Sequence, residues 1–174
     1  LTVTPILTNT ATLSSGWYVV NADVTRTGTI TVSGDAKLIL VDGKTLTVTA
    51  SSDNAGIVVT GSNRLTIYGQ TGGTGTLDST GSNYCAGIGG AQYNTVGTIT
   101  INSGTVNAYG GRNGSGIGSG WLNDDGGTIT INGGTVNAQG DSAGAGIGNG
   151  YFGDGGTITI NGGTVNATGR DNGS

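Results

Sequence analysis

The sequence predicts an all-β protein, a right-handed parallel β-helix (solenoid) in which each coil of about 29–31 residues contributes three short strands. Three observations lead to this fold class: a repeat of nearly constant length, an alternation of apolar and polar residues within each repeat, and glycine between the alternating runs. A chain that returns to the same sequence at a constant interval builds a solenoid, because each repeat stacks on the one before it.

The repeat is carried by two motifs that share one period. The segment GTITINSGTVNA begins at Gly97, and GTITINGGTVNA begins at Gly127 and again at Gly156, so the starts lie 30 and 29 residues apart. The motif AGIG or SGIG keeps the same step, beginning at Ala86, Ser115 and Ala145. Ala55-Gly56-Ile57 precedes Ala86-Gly87-Ile88 by 31 residues, so we expect the coils to extend back to about residue 55.

The alternation with period two predicts strands that bury one face. In the first clean repeat Ile99, Ile101 and Val106 are expected to point inward, with Thr and Asn residues pointing outward. The next two repeats place the same residue types inward: Ile129, Ile131 and Val136, then Ile158, Ile160 and Val165. Such a thin apolar slice cannot stabilise a fold alone, so slices stacked about 4.8 Å apart would have to bury one another.

An array of β-hairpins is the alternative fold. Asn132-Gly133-Gly134 lies between two alternating runs and is typical of a hairpin turn. A hairpin has no use for the third motif, AGIG, and the nearly constant repeat length favours parallel coils stacked in register.

Two regions are expected along the chain. Residues 1–50 are predicted to form an N-terminal cap and irregular first coils, because an exposed solenoid end presents unpaired strand edges. Residues 51–174 are predicted to form regular coils that stop before a C-terminal cap, so further repeats or domains of the same chain are expected. No apolar stretch approaches the roughly 20 residues of a membrane-spanning helix, and none is predicted.

The composition restricts the classes of function. The chain has 38 glycines in 174 residues, 33% hydrophobic and 9% charged residues, and a formal net charge of −4. All ten acidic residues are aspartates, and the six Lys and Arg residues are scattered along the chain. We therefore predict no nucleic-acid partner, since no basic patch exists to neutralise phosphates.

Several segments resemble a known group of proteins. The stretches LSSGWYVVNADV, AKLILVDGKTLTV and LTIYGQTGGTGTL, with the repeated GGTITINGGTVNA and AGIG, are similar to the β-helix repeat regions of large secreted or surface-anchored bacterial proteins. Proteins of that kind are described as adhesin-like or carbohydrate-binding. The resemblance implies an extracellular, secreted or cell-surface location and a polysaccharide or surface glycan as partner.

The turn between AGIG and TITI is where the repeat accepts large side chains. These turns would stack along one edge and form a ladder of aromatic rings beside amides and carboxylates, as sugar recognition requires. The candidate ligand-binding residues are Tyr93, Trp121, Asn123, Asp124, Asp125, Tyr151, Phe152 and Asp154. The alternative is that each aromatic ring only shields its own corner of the core.

No cofactor or metal is predicted, although Asp124, Asp125 and Asp154 could hold an adventitious Ca²⁺. No catalytic residue is predicted either. The chain has no His and no Glu, and the adjacent Asp124 and Asp125 would point apart in an extended segment. We therefore expect a non-enzymatic scaffold or adhesin-type module, or else the non-catalytic part of a polysaccharide-degrading enzyme.

Ice binding is a further alternative, because outward threonines would form two columns on the TITI strands. The columns are Thr98, Thr128 and Thr157, and Thr100, Thr130 and Thr159. Outward threonine is also simply a good strand residue, and stacked threonines stabilise sheets.

Overall fold

The chain folds as a parallel β-helix in a computed structural model that describes residues 2–122, 125–153 and 156–170. These residues form seventeen strands and no helix that could cross a membrane. The strands are β1 (Val3–Pro5), β2 (Thr12–Val20), β3 (Val24–Thr27), β4 (Ile30–Leu40), β5 (Thr45–Thr49), β6 (Ile57–Val58), β7 (Arg64–Gly69), β8 (Thr76–Thr80), β9 (Ile88–Gly89), β10 (Thr98–Ile101), β11 (Thr105–Arg112), β12 (Ile117–Gly118), β13 (Thr128–Ile131), β14 (Thr135–Asp141), β15 (Ile147–Gly148), β16 (Thr157–Ile160) and β17 (Thr164–Thr168).

Three strands per coil, as predicted, are present from β6 onward, in the order IG, TITI and TVNA. The register confirms the period, since Ile57 pairs with Ile88, and Ile99 pairs with Ile129. Every ladder between these strands is parallel. The hairpin array is therefore excluded, because it would place TITI antiparallel to TVNA within one repeat.

The three files of strands form two sheets. TVNA strands stack as a six-stranded sheet in the order β17-β14-β11-β8-β5-β3, and the IG and TITI strands share one eleven-stranded sheet. These two files are joined because β4 is long enough to pair with both: Ile30–Thr31 pair with β6, and Asp35–Leu40 pair with β7. A single strand in the early coil thus becomes two strands in the next coil.

The loops of the candidate functional site connect each IG strand to the TITI strand that follows it. The chain between β6 and β7 is a short bend, where the Gly34 N–H of the preceding coil donates to Asn63 Oδ1 at 2.7 Å. In later coils the same connection runs through residues 90–97, 119–127 and 149–156, which we call the first, second and third corner loops. The division of residues 1–50 from the regular coils remains a prediction.

The core is a continuous file of aliphatic side chains. Ile99, Ile101 and Val106 are fully buried, as predicted, and so are their counterparts one coil later. In the coil of β16 and β17 Ile158 and Ile160 occupy the same inward positions but are 43% and 53% exposed, since the described residues place no further coil against them. Burial therefore comes from the neighbouring coils and not from the repeat itself.

Two ladders of asparagine amides lie outside the core. In the first, Asn132 Nδ2 donates to Asn102 Oδ1 and Asn161 Nδ2 donates to Asn132 Oδ1, each at 2.8 Å. The second ladder joins Asn107, Asn137 and Asn166 in the same way, and Asn107 Nδ2 donates to Asp78 Oδ1 at 2.6 Å. Each ladder fixes the register, since a slipped coil would lose the bonds at every step.

Replacing an interior member of a ladder should cost more than replacing the last one. Asn137→Ala removes one accepted and one donated bond, so we expect a loss of about 1–3 kcal/mol in the free energy of unfolding. Asn166→Ala removes a single, exposed bond and should cost about 1 kcal/mol or less. Urea denaturation of both variants checks this, and equal losses would argue against the ladder as a stabilising element.

Candidate functional site

The three corner loops stack on one another through their backbones. Gly90 N–H donates to Gly118 O at 2.8 Å, Tyr93 N–H to Trp121 O at 3.3 Å, and Leu122 N–H to Tyr151 O at 3.1 Å. These bonds continue the coil register into the loops, so equivalent loop residues lie above one another. The side chains that the loops carry are therefore presented along one edge of the solenoid.

Each loop turns through a residue in the left-handed region. Tyr93, Leu122 and Phe152 have φ of 63°, 54° and 59°, and each lies five residues after the Ile of its IG strand. A non-glycine residue in this conformation costs roughly 1–2 kcal/mol, which the stacked backbone bonds must offset. Such strain is more common at functional sites than elsewhere.

The aromatic rings of this edge form two groups. Trp121 lies 5.0 Å from Tyr84 and 6.3 Å from Tyr93 between ring centroids, with the planes tilted by 36° and 44°. In the third loop Tyr151 and Phe152 lie 4.1 Å apart, also tilted by 44°. We call these five residues the aromatic edge. Trp121 is half-buried at its centre, and its Nε1 is buried without a hydrogen-bond partner among the described residues.

The edge presents aromatic surface to solvent. Tyr93, Tyr151 and Phe152 are 66%, 40% and 68% exposed. Of the seven exposed large hydrophobic side chains among the described residues, these three lie on the corner loops, and they include the two most exposed ones, Tyr93 and Phe152. A cluster of exposed rings on stacked loops marks a candidate binding surface.

The arrangement differs from a single ladder of four aromatic rings. One column contains Gln92, Trp121 and Tyr151, and the next contains Tyr93, Leu122 and Phe152. The rings of Tyr93 and Trp121 are therefore diagonal neighbours. The offset from the Ile of the IG strand decides the column of each ring: four residues for Trp121 and Tyr151, and five for Tyr93 and Phe152.

Sequence reasoning missed Tyr84. It precedes the AGIG motif, and its counterparts Asn113 and Ser142 are not aromatic. The narrow IG turn brings its two ends together, since the Ala86 N–H donates to Gly90 O at 3.0 Å, and Tyr84 O accepts the Trp121 N–H of the next coil at 2.9 Å. The signal that could have found it is the shortness of the IG strand, which leaves both flanking corners at the same edge.

Of the four polar residues that the sequence predicts to bind ligand, the structure describes one, Asp125. Asp125 is exposed, and its Oδ1 accepts the Gly127 N–H at 2.8 Å. Asn123, Asp124 and Asp154 lie outside the described residues. The proposed Ca²⁺ ligands are thus mostly outside them too, and the described part of the chain contains no group of three metal-ligating side chains.

The stacked parallel strands define the fold as a parallel β-helix. Comparison with known families agrees: the family described as Beta helix repeat matches residues 99–121, 129–151 and 158–174. These segments begin at the TITI strands and the first two reach the corner loops. No curated protein and no solved structure matches the chain.

Proposed function

We propose that this chain is a non-enzymatic scaffold of an extracellular, surface-associated protein, and that it binds polysaccharide or a surface glycan through the aromatic edge. The observation that carries the proposal is the exposure of Tyr93, Tyr151 and Phe152 on loops stacked in register. Sugar rings have apolar C–H faces that pack on aromatic rings and hydroxyls that hydrogen-bond to neighbouring polar groups. The resemblance to adhesin-like proteins supports the same conclusion.

The exposure of the rings favours glycan binding over simple shielding of the core. The inward side chains below the loops, Ile88 and Ile117, are already fully buried. A ring that is two-thirds exposed, as in Tyr93 and Phe152, adds little to that core. Loops on a rigid scaffold are the usual location of binding residues.

Removal of an exposed ring at the edge should weaken glycan binding. We expect Tyr93→Ala and Tyr151→Ala each to lower the affinity for the bound glycan roughly tenfold, as lost ring stacking predicts. Tyr109→Ala is a matched control, because Tyr109 is 40% exposed, as Tyr151 is, but lies on the six-stranded sheet. A glycan array identifies the ligand, and titration of the hits measures the change. Equal binding by all three variants and the parent would contradict the proposal.

Ice binding is the second candidate, and one observation favours it. On the six-stranded sheet Thr45, Thr76, Thr105, Thr135 and Thr164 form a column of five aligned threonines. This column is taller than either column on the TITI strands. Thermal hysteresis of the purified chain tests this function, and its absence would leave glycan binding as the sole candidate.

A further inference from the structure

An open groove lies where the corner loops enter β10, β13 and β16. Its volume is about 420 Å³. Three successive coils supply the same pair of residues to its lining, Gly97 with Thr98, Gly127 with Thr128 and Gly156 with Thr157, and Gly61, Val96 and Asp125 complete it. Because the coils are stacked, the groove runs along the axis of the solenoid for about 10 Å, two steps of about 4.8 Å.

The floor of the groove consists of backbone. A side chain at Gly127 would have its Cβ 2.5 Å from Gly97 O and 2.7 Å from Val96 Cβ, so this position accepts only glycine. Gly156 is restricted in the same way by the backbone of the coil below. The glycines therefore let successive coils approach closely at the groove, and their carbonyl groups bond to the next coil, as Gly97 O does to the Thr128 N–H at 3.1 Å.

The wall of the groove is a file of threonines held in register. Thr98 pairs with Thr128, and Thr128 pairs with Thr157, so equivalent hydroxyl groups recur at every coil. Each hydroxyl can donate one hydrogen bond and accept others. A row of such groups at a regular spacing suits a ligand that is itself a regular chain of hydroxyl groups.

Two residues of opposite charge lie at or beside the groove. Asp125 contributes a carboxylate to the lining, and Arg64 continues the threonine file at its N-terminal end, since it pairs with Thr98. Both residues are exposed. A strongly anionic or cationic polymer would meet a like charge at one of these two positions, so a neutral ligand fits best.

We propose that the groove binds a linear, neutral polysaccharide that lies along the solenoid axis, with its hydroxyl groups bonded to the threonine file. This inference rests on the proposed glycan-binding function, since the same three loops carry four of the five residues of the aromatic edge at their beginning and line the groove at their end. The edge supplies stacking surface and the groove supplies hydrogen bonds. Together they extend the contact from single sugar rings to a polymer segment.

Thr128→Val tests the groove, because valine keeps the shape and strand preference of threonine but lacks the hydroxyl group. Thr130→Val is the matched control: Thr130 lies on the same strand and points outward, but does not line the groove. Affinity electrophoresis in gels that contain hydroxyethylcellulose, chitosan or polygalacturonate measures both variants and the parent. We expect retardation of the parent in the neutral gel, roughly fivefold to tenfold weaker binding by Thr128→Val, and no change for Thr130→Val.

The outcomes separate the two proposals. Unchanged binding by Thr128→Val together with weaker binding by Tyr93→Ala would overturn the groove and leave the aromatic edge. The reverse result would support the groove and overturn the edge. Stronger retardation by chitosan or polygalacturonate than by the neutral polymer would overturn the neutral ligand, and binding to none of the three polymers would overturn the groove.

Discussion

Gly118→Ala should destabilise the protein by more than about 4 kcal/mol, among the largest losses that a single substitution causes. Gly118 has φ of +132°, a conformation that side chains rarely adopt, and its Cβ would overlap the carbonyl oxygen of Gly148 in the next coil. That oxygen cannot move away, because it accepts the Ser119 N–H at 2.9 Å. The substitution therefore separates two coils at the IG file.

Thermal and urea unfolding of Gly118→Ala measure this effect, and Gly43→Ala is the matched control. Gly43 also has a positive φ, +69°, but a Cβ there meets nothing within 4 Å. Its replacement should cost only the conformational penalty of about 1–2 kcal/mol. If the two variants lost the same stability, close stacking of the IG strands would be contradicted.

Ile129→Ala should cost about 2–5 kcal/mol, whereas Ile158→Ala in the same 174-residue chain should cost about 1 kcal/mol or less. The two isoleucines hold the same position in identical TITI segments and pair with each other. Ile129 is fully buried between two coils, and Ile158 is 43% exposed. The local sequence is constant in this comparison, so the difference reports the burial that stacking provides.

The measurement is the free energy of unfolding of the two variants by urea denaturation. Unchanged far-ultraviolet circular dichroism in the folded state serves as the control for native structure. Similar losses for Ile129→Ala and Ile158→Ala would mean that each repeat buries its own isoleucine. That result would contradict a core that is buried by the stacking of neighbouring coils.

The regular coils could be predicted from the sequence because their pattern is local and repeated. Period-two alternation assigned Ile99 and Ile101 to the interior, and the spacing of the AGIG motifs gave the register of β9 on β6. Both depend only on residue type and count along the chain. The structure confirms them.

Other features depend on contacts that no local pattern contains. The joining of two strand files through β4 requires the length of one early strand to match two later ones. The diagonal contact of Tyr93 with Trp121 depends on the path of the loops, and the place of Tyr84 depends on the tightness of the IG turn. The register aligns the asparagines of each ladder. Their hydrogen bonds also depend on side-chain torsions, which the sequence does not give.

Distances between spin labels along one file of outward residues test the stacked coils most directly. In a Cys85→Ser background, a label at Thr27 is paired in turn with labels at Tyr109, Gln139 and Thr168, which lie three, four and five coils away on the six-stranded sheet. Stacking predicts backbone separations of about 14, 19 and 24 Å, rising by about 4.8 Å per coil in pulsed electron paramagnetic resonance. Distances that do not rise in equal steps would contradict the parallel β-helix.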